Sequence, residues 1–206
     1  MTAETDTLRQ DLAFMRAVVA AGGDPNPAFG ETYLAAGLIY GAQMLLHAAQ
    51  FLGLAPSATP WPLLFGFGPT VVFIPVAVWI GVRHKPVRPN ASGRAFAAVF
   101  GVVSTANLAL ICVIGSVAWR EHSLTTWLIY PCAVFVLQGA AWLFGWLLRR
   151  RAWYALVAAG WFISGIAMAL TVQSLGYFVL AGGLGIWLCM ALPGWVMLRL
   201  ARRGGP

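Results

Sequence analysis

Charge is what this sequence has least of. Aspartate, glutamate, lysine and arginine make up 9% of its 206 residues, 60% are hydrophobic, and the mean hydropathy is +0.79, where soluble domains carry about 25% charged residues. That balance excludes an ordinary soluble fold. Carboxylates are especially few: of six in all, Glu4, Asp6, Asp11, Asp24 and Glu31 fall within the first 31 residues. No long apolar run holds an acidic residue away from its ends, so ion coupling through a buried carboxylate has no residue to act through. Cys112, Cys132 and Cys189 all lie in apolar runs with no CxxC pair. They read as small packing residues, not as a disulfide framework or a metal cluster. Of three histidines only His47 is at membrane depth, while His84 and His122 lie in connections, and a bis-histidine haem needs two facing intramembrane histidines. No GxSxG or similar element places a nucleophile beside a base. No metal, no cofactor and no catalytic residue is expected.

What the sequence does have is long apolar runs. Six are long enough to cross a hydrocarbon core, which needs roughly 20 helical residues; they lie near 33–53, 63–82, 95–118, 125–148, 153–173 and 177–198. The alternating polarity of a membrane β-barrel is missing. The expected fold is all-α: a polytopic integral membrane protein with six transmembrane helices, its bundle over 32–199 and a basic tail over 200–206. Of the 13 basic residues, only Arg120 falls in a connection on the opposite side from the rest. Arg83, Lys85, Arg88 and Arg94 follow the second run, Arg149, Arg150 and Arg151 the fourth, and Arg199, Arg202 and Arg203 the sixth, with Arg9 and Arg16 in the N-terminal segment. By the positive-inside rule both termini are expected to be cytoplasmic, in a cell inner membrane. The net charge of +7 is therefore read as topology with affinity for membrane lipid, its clusters meeting anionic headgroups; no nucleic-acid partner is expected. Trp61, Trp119 and Trp127 would mark the outer interface, and Trp79, Trp146, Trp153 and Trp195 the inner one.

Residues 1–31 predict a short amphipathic helix: Thr5 or Thr7 can cap it, Leu8, Leu12, Met15 and Val19 form one stripe, and Gly22, Gly23, Pro25 and Pro27 stop it. It would dock a protein partner or rest on the membrane surface, and it lacks the pattern of a secretory signal. The runs also suggest three repeated hairpins. Ala35 and Ala36, Ala97 and Ala98, and Ala158 and Ala159 recur at intervals of 62 and 61 residues, as do Gly53, Gly115 and Gly176.

The first run carries an anomaly. Tyr40, Gln43, His47 and Gln50 interrupt its apolar sequence and, at 100° per residue, share an arc of roughly 80° on one helix face. Lipid offers them no hydrogen bonds, so this face is expected to look into the bundle. It would serve either as interhelical glue, with Asn107 on the third run and Gln138 on the fourth as partners, or as a ligand site. The second run, with Gly66, Gly68, Pro69 and Pro75, predicts a kink or interruption over 66–69, a feature tolerated where backbone lines a cavity. Arg120, Glu121 and His122 in the opposite connection suggest a small polar vestibule, which could share one cavity with His47. These features give two expectations: a small non-catalytic accessory, scaffold or sensor subunit, or a facilitator of small solutes with a cavity between the first two runs.

Overall fold

The computed structural model describes residues 27–58, 60–84 and 91–203. The amphipathic helix expected within 1–31, with its Leu8 to Val19 stripe, lies outside the described residues. Among the described residues helix is the only regular secondary structure, joined by short turns. The elements are α1 (Pro27–Phe51), α2 (Trp61–Arg83), α3 (Ala91–Glu121), α4 (Leu124–Arg149), α5 (Ala152–Leu170) and a final rod made of α6 (Leu175–Ile186), a π turn (Trp187–Ala191) and α7 (Leu192–Arg203).

Five stretches are long and apolar enough to cross a membrane: Leu64–Arg83, Gly93–Glu121, Leu124–Arg149, Ala152–Leu170 and Leu175–Arg202. The chain is thus an all-helical membrane protein of several spans. The run expected at 33–53 is helical too, within α1, but Gln43, His47 and Gln50 leave it more polar than the other five. Its helix already includes Pro27, ahead of the apolar pattern.

Local chemistry explains the ends. Gly53 takes φ 72° just past α1, and the Leu54 N–H returns to Ala49 O at 2.7 Å, closing the last turn through a left-handed residue. Ser123 caps α4 by accepting from Thr126 N–H at 3.1 Å. The π turn ends two residues before Pro193, which has no N–H to offer Cys189 O. The wider turn shifts the register so that Leu192 N–H donates to Trp187 O, five residues back.

Each helix packs mainly on one or two others. α2 lies against α1, α1 against the final rod, the rod against α5, α5 against α4 and α4 against α3. α1 and the rod run antiparallel along their full length: Gly30 meets Met197, Gly37 meets Ala191, Gly41 meets Trp187, Gly183 meets Leu45 and Gly176 meets Leu52. Small residues at these points bring the backbones together, which is how helices associate where lipid removes the hydrophobic drive. The core is aromatic. Trp142 and Tyr154 are completely buried, and Trp142 Nε1 donates to Tyr33 Oη at 2.8 Å. Phe29, Phe96 and Phe100 pack edge to face around them. Trp153, expected as an interface marker, also turns inward, its ring tilted against that of Tyr154 at 4.1 Å with its Nε1 buried.

Positions matched by the suggested repeat sit in unlike surroundings. Ala36 and Ala158 are buried while Ala98 is exposed, and Gly53 faces open space while Gly176 lies under Leu52.

Candidate functional site

The four polar residues of the first run do share a face, and that face looks at α2. Gln43 Nε2 donates to Gly66 O at 3.0 Å, and the Tyr40 ring lies 5.3 Å from that of Phe73. The His47 ring meets Phe65 edge to face at 6.5 Å. His47 Nδ1 is 3.0 Å from Gln50 Oε1, and Gln50 Nε2 donates to Pro56 O at 2.7 Å. All four residues are partly buried. The stripe therefore fastens α1 to α2 and to the connection that follows α1, and its amides spend their donors on backbone carbonyls.

The interruption expected in α2 does not occur. The helix runs unbroken from Trp61 to Arg83 with Gly66, Gly68, Pro69 and Pro75 in its interior. Pro69 withholds a donor only from Phe65 O, and the turns on either side stay helical. The carbonyl that Gln43 reaches is that of Gly66, one residue after Phe65, and it is not the acceptor that Pro69 leaves open.

Asn107 and Gln138 are not partners of the stripe. They stand on α3 and α4, each fourteen residues from the helix end that meets the shared turn, so the antiparallel hairpin sets them at one level. Asn107 Oδ1 and Gln138 Oε1 are both buried without a hydrogen bond among the described residues.

The three vestibule residues diverge. Arg120 folds back, its Nε donating to Ser116 O at 3.3 Å. Glu121 accepts from the Thr126 hydroxyl at 2.8 Å. His122 adopts φ 49° in the turn and helps to line an open depression of about 460 Å³ with Trp119, Ser123, Leu124 and Trp127. No residue of the His47 stripe lines it, so the shared cavity expected for the two regions is not formed there. No group of three or more His, Cys, Asp or Glu side chains suited to a metal ion occurs among the described residues.

Two features of the site region are missed by reading polar residues alone. The first is Gly37 and Gly41, where an added methyl would overlap Ala191 backbone and the Trp187 indole; their spacing, small residue to small residue four apart, is the signal that reveals them. The second is Glu31, which joins α1 to the end of α2 by pairing with Arg83 and with His84 Nε2 at 3.0 Å. Sequence separations of 52 and 53 residues leave no local trace of this contact.

Comparison with known proteins adds no family: no protein-family model matches the chain, and neither a curated protein nor a solved structure does. Its class is therefore the one the helices define, an all-helical multi-pass membrane protein.

Proposed function

We propose that this chain is a small non-catalytic inner-membrane protein, an accessory or scaffold subunit that crosses the bilayer six times with both termini cytoplasmic. One observation carries the reading: the stripe of Tyr40, Gln43, His47 and Gln50 is occupied by contacts within the α1–α2 hairpin, leaving its amides committed to fastening helices. The sixth crossing is supported by α1 lying along the final rod from Gly30 to Leu52, about 33 Å of helix at 1.5 Å per residue, beside a stretch that is itself long enough to span. Orientation rests on the basic end of the bundle, where Arg83, Arg149, Arg199 and Arg202 lie at the same end as the start of α1, in keeping with the positive-inside rule. Anionic headgroups meet that end, and a protein partner would be engaged through residues 1–31 or along the apolar faces of α2 and α3.

The test is permeation. Purified protein in proteoliposomes is compared with empty vesicles for glycerol, urea and ammonia flux by stopped-flow light scattering and a pH dye. The reading expects no added flux. A flux present in wild type and abolished by Gln43→Leu would overturn it in favour of a facilitator.

A further inference from the structure

Arg149 is held in place at the basic end, and among the described residues it has no counter-charge. The C-terminal turn of α4 closes through Arg150 in the left-handed region, φ 53°, with Arg150 N–H on Trp146 O at 2.7 Å. That turn swings the Arg149 side chain over the core, where its Cζ lies 4.7 Å from the Phe96 ring and 5.7 Å from that of Tyr154. One guanidinium nitrogen donates to Tyr154 Oη at 2.7 Å. Gly145 makes the seat: a Cβ there would stand 2.8 Å from Phe96 and 2.9 Å from Tyr154, so only glycine lets the two rings close beneath the guanidinium.

The neighbouring arginines differ. Arg83 is paired with Glu31. Arg150 and Arg199 are exposed and lie over Trp146 and Trp195. Arg149 is partly buried, its Nε is buried with no partner, and no carboxylate pairs with it among the described residues. A guanidinium carries five N–H donors, and here only the bond to Tyr154 is made. Tyr154 accepts that bond. A partly desolvated cation in this setting is stabilised by an anion whose oxygens match its planar fork, and phosphate is the group that does so at a membrane surface.

We propose that Arg149, seated on Phe96 and Tyr154, is a binding site for one phosphate oxyanion, taken from an anionic phospholipid. The inference deepens the reading that the basic end meets headgroups and rests on it only for the source of the phosphate.

The test is native mass spectrometry of detergent-solubilised protein titrated with phosphatidylglycerol, with phosphatidylcholine and with inorganic phosphate. Wild type should retain one phosphatidylglycerol in preference to phosphatidylcholine. Arg149→Gln should weaken that retention about fivefold, the effect of one basic residue at a headgroup, while Arg150→Gln and Arg202→Gln change it less than twofold. Tyr154→Phe keeps the charge but frees the guanidinium. It should cost part of the preference with the helical circular dichroism intact, and it decides the matter if the Arg149 variant does not fold. Equal losses in all three arginine variants, or an unchanged preference in Tyr154→Phe, would mean diffuse attraction and overturn the site. Displacement of the lipid by millimolar inorganic phosphate would overturn the lipid source. Retention is read in detergent, so it is independent of which side of the membrane the basic end faces. Labelling of Arg150→Cys by an impermeant maleimide in intact cells tests that topology by itself.

Discussion

Two neighbours flank α1, and they are held to it by opposite means. The final rod meets it through glycines, with backbones close enough that Gly37 and Gly41 admit no side chain, and 44% of the rod's membrane-length stretch is buried. α2 buries only 6% of its own, and it is tied to α1 by the Gln43 amide near one end and by Glu31 with Arg83 and His84 at the other. Close packing and interhelical hydrogen bonds are the two forces left to helices in lipid. Here they are allocated to different faces of one helix. The polar residues of the first run are thus explained by the poverty of packing on the α2 side: a helix that buries so little needs specific bonds to fix its position and rotation.

If that division is right, the rod side should fail under added volume and the α2 side should not. Gly41→Leu is expected to have the largest effect, destabilising by about 3 kcal/mol, at the top of the usual range for overpacking, because the displaced group is the Trp187 ring and not a flexible chain end. Thermal unfolding in detergent followed by circular dichroism checks it. Gly66→Ala on α2, with nothing within 4 Å of the new methyl, should be neutral or slightly stabilising through its gain in helix propensity. Equal losses from both substitutions would break the comparison. Next comes Trp142→Phe. It removes the donor to Tyr33 Oη in the most buried part of the molecule, and a buried hydroxyl left without its partner costs about 1–3 kcal/mol. Tyr33→Phe in the same assay should cost about as much, and the double variant less than the two together, since both remove one bond.

The length and apolar character of the runs made the helical class legible, because membrane depth fixes helix length. The face shared by Tyr40, Gln43, His47 and Gln50 was legible too, since 100° per residue is a local property. Which helix that face meets was not. Asn107 and Gln138 are as polar as any partner for the stripe, yet the acceptors used are Gly66 O and Pro56 O, backbone groups that every residue carries and no sequence marks. The prolines, for a related reason, do not interrupt the helix. Pro69 and Pro75 each delete one donor, but a helix of 23 residues stays continuous on the bonds that remain. The aromatic core escaped because tryptophan has two readings in a membrane protein: Trp142 and Trp161 are buried, Trp119 is largely exposed, and composition is blind to the difference.

The smallest expected effects separate fastening from mere tolerance within the stripe itself. Gln43 bonds across to α2, so Gln43→Leu should lose about 0.6 kcal/mol and at most about 1.7, and it should loosen the hairpin. His47 bonds only to Gln50 on its own helix, so His47→Leu should stay within about 0.5 kcal/mol of wild type, as substitutions away from special contacts do. Spin labels on exposed Leu38 of α1 and Val78 of α2 read the hairpin directly by electron paramagnetic resonance. Gln43→Leu should broaden the distance distribution and His47→Leu should leave it narrow. The reverse ordering would make His47, with its ring against Phe65, the fastener, and would shift the hold on α2 from hydrogen bonding to aromatic contact.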